Sequence, residues 1–116
     1  MKLCFQREWG VVPWALVAAL FGGCASPPPP VTPQLVALSP AGSTTFELER
    51  GRLIFVNACV NCHGLDSPTT FAPEQWVRIV GEMAKPAKIG QAEQAELLKY
   101  LLGARLWLLK EGAPPR

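Results

Sequence analysis

Apolar residues fall into four stretches along the chain, each with its own spacing. The first is an unbroken run, "VVPWALVAALFGG", from Val11 to Gly23, preceded by the charged residues Lys2, Arg7 and Glu8. Charge, then a short greasy stretch, then small residues is the order of a secretory signal. The run is shorter than the ~20 residues of a membrane span and contains Pro13. The second stretch begins near Phe46. In "FELERGRLIFVNACVNCHG", Leu48 and Phe55 are seven apart and Ile54 and Ala58 four apart, with Leu53 between them. This spacing predicts a helix with one buried face. Gly51 sits in its middle, at a cost of about 1 kcal/mol against alanine, which invites a reason such as a second helix crossing closely.

The third stretch, "PEQWVRIVGEM", opens on Pro73 and Glu74, a favoured helix start. Trp76, Ile79, Val80 and Met83 recur at three and four and share a face, and Pro86 is expected to end or kink the helix. The fourth, "QAEQAELLKYLLGARLWLLKEG", is helical in composition, with Leu97, Leu101 and Leu108 expected on the core side and Leu106 and Trp107 at the rim or in solvent. Exposed together, that pair reads either as cover for neighbouring chain or as a docking patch. No strand candidate and no internal repeat is visible, so the fold class is all-α.

Between the first two stretches lies "ASPPPPVTPQLVALSPAGSTT", with six prolines between Ser26 and Ala41. Proline fixes φ and lacks an amide donor, so this segment is expected to be an extended tether without a packed helix. The organisation that follows is a lipoprotein-type signal over 1–23, a proline-rich tether over 24–45 and a folded domain over 46–116. "LFGGCAS" places small residues directly before Cys24, as in a bacterial lipoprotein signal in which that cysteine is lipidated and becomes the first mature residue. The match is incomplete, because Phe21 stands where that pattern prefers leucine. Cleavage after Ala25, or none, are the alternatives.

Of 116 residues, one small domain at most can form. The net charge is +2, and removing the first 23 residues takes Lys2, Arg7 and Glu8 with it. The near-neutral remainder has none of the basic patches that nucleic acid requires. Four cysteines are present, of which Cys4 belongs to the signal and Cys24 is the lipid candidate, leaving Cys59 and Cys62.

Cys59, Cys62 and the sole histidine, His63, form C-x-x-C-H. Three chemistries compete for it. A structural zinc site takes four ligands, and here Asp66 would have to complete a crowded set. A thioredoxin-like dithiol wants a preceding strand within a sheet, whereas a helix is expected here. The third chemistry is covalent haem: two thiols three positions apart can each form a thioether with one vinyl group of a porphyrin, with the adjacent histidine beneath the iron. Behind an export signal, and with no other cysteines to pair, haem attachment is the favoured reading.

"GRLIFVNACVNCHG" resembles the first helix and haem motif of small class I cytochromes c, in which a glycine and an aromatic precede the motif at the spacing of Gly51 and Phe55. "EQWVRIVGEM" and "AEQAELLKYL" resemble the second half of that family, with Trp76, Val80 and Met83 and then the aromatic-Leu pair Tyr100-Leu101. The resemblance runs from about Phe46 to Leu102. It implies three to four helices around one covalent haem c, with the first and last helices crossing at Gly51. It implies attachment through Cys59 and Cys62 and axial ligation by His63 and Met83. Met83 is the thioether left once Met1 goes with the signal, and it lies in the family's order, after His63 and before the last helix. Trp76 is expected to pack on the porphyrin. The gap from His63 to Pro73 is short for the family, so the carbonyl that orients the imidazole cannot be carried over; Pro68 lies in this loop.

The implied function is single-electron transfer, without enzymatic bond-making, on the periplasmic side of a bacterial membrane. Its donor would be a dehydrogenase or quinol-oxidising complex and its acceptor an oxidase, with membrane attachment through lipid on Cys24. Two alternatives stay open: a cytochrome subunit of a larger dehydrogenase, and a haem-based small-ligand binder or sensor with an open distal site.

Overall fold

The computed structural model describes residues 27–59 and 64–112. The expected signal over 1–23, the lipidation candidate Cys24, and Cys62 and His63 lie outside the described residues. Four helices follow one another: α1 over Pro33–Leu38, α2 over Thr45–Asn57, α3 over Pro73–Ala87 and α4 over Gln91–Lys110. No strand occurs among the described residues, and the fold is all-α.

The segment expected to be wholly extended contains α1. Proline excludes a helix interior but suits its first turn, where the missing N–H would be unpartnered anyway. Pro33 occupies that turn, and residues 34–38 are free of proline. The Thr32 hydroxyl caps the helix by accepting from the Leu35 amide at 3.2 Å. Leu35 is wholly buried. Upstream, the Pro29 carbonyl accepts a 2.8 Å hydrogen bond from the Tyr100 hydroxyl of α4. Downstream, a Cβ on Gly103 of α4 would collide with the Ser39 side chain. The chain from Pro29 to Ser39 is therefore held against α4 at both ends.

A capping box starts α2. The Glu47 amide donates to the Thr44 hydroxyl at 3.2 Å, and the Glu47 carboxylate accepts from the Thr44 amide at 2.9 Å. Leu48, Gly51 and Phe55 form its buried face, as the spacing predicts, while Leu53 is exposed. The expected close crossing occurs at Gly51, where a Cβ would run into the Glu96 carbonyl and lie 2.9 Å from the Tyr100 Cβ. Glu47 pairs with Lys99 at 2.7 Å and Arg50 with Glu96 at 2.9 Å. As numbers rise on α2 they fall on α4, so the two helices run in opposite senses.

On α3, Trp76, Val80 and Ala84 are buried, with Ile79 and Met83 half-buried beside them. Pro86 does not end the helix at once: it falls in the last turn, and the helix closes at Ala87. Lys88 then takes a left-handed conformation, φ 57°, and the Ile89 amide returns to the Ala84 carbonyl at 3.0 Å.

The core face of α4 differs from expectation in its second half. Leu97, Tyr100, Leu101 and Ala104 are buried. Trp107, expected at the rim, packs partly buried against this core, whereas Leu108 is half-buried outside it. At about 100° per residue, Trp107 lies on the Tyr100 and Gly103 side of α4. That side is engaged by residues 29–39, which the sequence reading treated as a tether. Leu106 is 47% exposed, as expected.

Two measurements test this account. Leu35→Ala should lower unfolding free energy by about 2–5 kcal/mol, the usual range for a buried leucine, in chemical denaturation. A leucine in a free tether would contribute nothing. The second concerns Glu47, whose pKa falls from 4.5 to about 2, first through the Lys99 hydrogen bond and then through Thr44. A depressed carboxylate stabilises the fold above its unfolded pKa, and that contribution disappears as pH falls from 4.5 towards 2. The denaturation midpoint of Glu47→Gln should lie below wild type at neutral pH, and the difference should shrink across that window.

Candidate functional site

The C-terminal end of α2, the loop after residue 63, α3 and the first half of α4 enclose one apolar cavity. Its volume, mouth included, is about 570 Å³. Phe55, Trp76, Val80, Leu97 and Leu101 supply its apolar wall, each from the buried face of its helix. Cys59, Met83 and Asp66 are the lining side chains with heteroatoms beyond the Trp76 indole.

Helix periodicity places Met83. It stands seven residues, about two turns, after Trp76, so both face the same space. Cys59 follows directly on the turn that ends α2, half-buried and packed against the core. Cys59 and Gly64, the described residues on either side of 60–63, both line the cavity. Three of the expected site residues, Cys59, Trp76 and Met83, are thus brought together, while Cys62, His63 and Cys24 lie outside the described residues.

Trp76 is held by both faces of its chemistry. Its indole Nε1 donates to the Pro68 carbonyl at 2.9 Å. Its ring meets Phe71 edge-on, centroids 5.1 Å apart, and Phe55 edge-on at 6.3 Å. Such pairs add about 0.5–1.5 kcal/mol each beyond area burial. The Pro68 carbonyl, in the loop after His63, is thus engaged by tryptophan. The loop is fixed a second time where Arg105 Nε of α4 donates to the Phe71 carbonyl at 3.0 Å. No local sequence signal could have found that contact, because it joins residues far apart in the chain.

Behind the cavity, Phe55 meets the Tyr100 ring at 6.2 Å, and the Tyr100 hydroxyl points away to Pro29. Burial pushes the Tyr100 phenol above the ordinary tyrosine range. It stays neutral at any physiological pH and acts as a donor.

An apolar space bounded by a thiol and a thioether is poorly suited to polar substrates. Cys59 and Met83 are the sulfur-bearing lining side chains that could hold a cofactor, Met83 as a soft donor to a metal. These residues fit a covalently attached haem. Comparison with known protein families, with characterised proteins and with solved structures finds no match to this chain.

Trp76→Phe should keep the ring packing but lose the bond to Pro68. The buried carbonyl left without its donor should cost about 1–3 kcal/mol, read by thermal melting. Loop 64–71 should become more open to limited proteolysis.

Proposed function

We propose that this protein is a monohaem c-type cytochrome that carries single electrons, exported and tethered to a membrane through Cys24. The observation that carries this reading is that Cys59 of the C-x-x-C-H motif and Met83 line the same apolar cavity. The family resemblance pairs these two residues as attachment point and distal ligand, and they reach the cavity from separate segments of the chain. The finer fold reading, a cytochrome c-like wrap around haem, is part of the same proposal.

When bound, the haem supplies a one-electron iron couple. The chain's own work is positional. Cys59 and Cys62 would hold the group by thioether bonds, and His63 and Met83 would be the donors to its iron. A thioether donor favours the reduced iron and raises the potential. Phe55, Trp76, Val80 and Leu97 exclude water, and a dry setting disfavours the more highly charged oxidised state. The hydrogen bond from Trp76 to Pro68 keeps one wall of the pocket in place. No proton transfer or bond rearrangement is asked of any residue. Such a carrier suits a dehydrogenase or quinol-oxidising complex as donor and an oxidase as acceptor.

Two experiments test the proposal. Denatured protein should keep its haem stain on a gel, and haem that extracts into acidic organic solvent would refute covalent attachment. Oxidised protein should show the weak far-red band that the family's methionine–iron bond gives. Met83→Ala should abolish that band and admit carbon monoxide to the reduced iron. A wild-type protein that already binds carbon monoxide would favour the ligand-binding alternative.

A further inference from the structure

The segment that leads from the anchor candidate into the domain is short and held. The Pro29 carbonyl accepts from Tyr100, Leu35 is wholly buried, and Ser39 fills the space left by Gly103. Residues 29–39 thus belong to the folded body. We propose that a lipid on Cys24 seats the domain directly on the lipid bilayer, on the face where Pro29 meets α4, instead of letting it swing on a long leash. The inference rests on the lipid-anchored reading above and adds the membrane surface as a fixed neighbour of that face.

Covalent geometry sets the limit. Five residue steps separate Cys24 from Pro29, and a fully extended chain spans at most ~3.3–3.6 Å per residue, so the reach is about 18 Å. Had the whole stretch to Thr44 been free, polyproline geometry at ~3.1 Å per residue would have given about 60 Å. A domain kept this close can meet redox partners that stand in the same membrane with a low docking surface. It cannot sweep the space beyond. Tyr100 ties the segment down, because its buried hydroxyl donates to the Pro29 carbonyl and releasing the segment would break that bond.

The test uses the full processed chain on a supported bilayer of phosphatidylethanolamine and phosphatidylglycerol, with neutron reflectometry reading the gap between headgroups and protein. Wild type should show a gap no wider than about 18 Å. A variant with twelve Gly/Ser residues inserted between Ser26 and Pro27, outside the folded body, should widen it by on the order of 20 Å. A wild-type gap as wide as that of the insertion variant would overturn the inference. Radiolabelled palmitate on the same preparation separates the two failures. Lipidated protein that stands off the bilayer refutes only the seated domain, whereas absence of lipid removes the anchor reading and this inference with it.

Discussion

The crossing of α2 over α4 at Gly51 is the constraint on which the rest of the structure depends. A side chain at that position would overlap the Glu96 carbonyl, so only glycine permits the two backbones to approach this closely. The glycine costs about 1 kcal/mol of helix propensity, which the packing on either side offsets. One turn before it, Leu48 is fully buried, and one turn after it, Phe55 is. The pairs Glu47 with Lys99 and Arg50 with Glu96 flank the contact and favour this register. As partly exposed ion pairs they contribute little stability, and their value is orientation.

With α2 and α4 fixed, α4 serves two structures at once. Leu97 and Leu101 line the cavity, and Tyr100, Gly103 and Ala104 turn towards the rest of the core and the N-terminal segment. Tyr100 joins the two, its ring against Phe55 of the cavity wall and its hydroxyl on Pro29. Nothing in this arrangement requires a long-range signal between the two sides. One rigid helix simply bounds both, and shape changes on either side are resisted by the same close-packed residues.

Much of this was legible in residue spacing. The intervals from Leu48 to Phe55 and from Trp76 to Met83 identified the buried faces of α2 and α3, because a 3.6-residue period leaves little choice over two turns. Gly51 could be read as a crossing point because a mid-helix glycine needs a compensating contact. The start of α3 at Pro73 was legible, that of α2 less so. Thr44 and Glu47 make a capping box that the apolar pattern does not reveal, since it is built from polar side chains. The N-terminal segment was misread for a different reason. Its many prolines are a local signal, whereas Pro33 lies in the first turn of a helix, where proline is tolerated, and the burial of Leu35 is decided by a helix far along the chain. The misplacement of Trp107 followed from that error, because half of the core side of α4 is engaged by the unrecognised segment. At the site, Cys59, Trp76 and Met83 could be named from motif and period, while the anchoring of Trp76 by Pro68 and of the loop by Arg105 depends on tertiary placement alone.

Size explains why a proline-rich segment is drawn into the fold. A helical domain this small buries a modest share of its surface and is marginal on its own. Much of the cavity wall, moreover, is apolar area turned to the cavity and not packed on protein. Full burial of one leucine is worth about 1.5–3 kcal/mol, a sizeable part of the ~5–15 kcal/mol that a domain commonly has. Leu35 supplies that increment at low entropic cost, because the prolines before it have already restricted the unfolded chain. Proline also leaves its carbonyl free as an acceptor with no N–H to satisfy, which suits Pro29 to a buried contact with a single tyrosine. The same residues that mark the segment as incapable of forming a helix interior therefore make it an inexpensive strap across α4, and the strap leaves the opposite side of that helix free to wall the cavity.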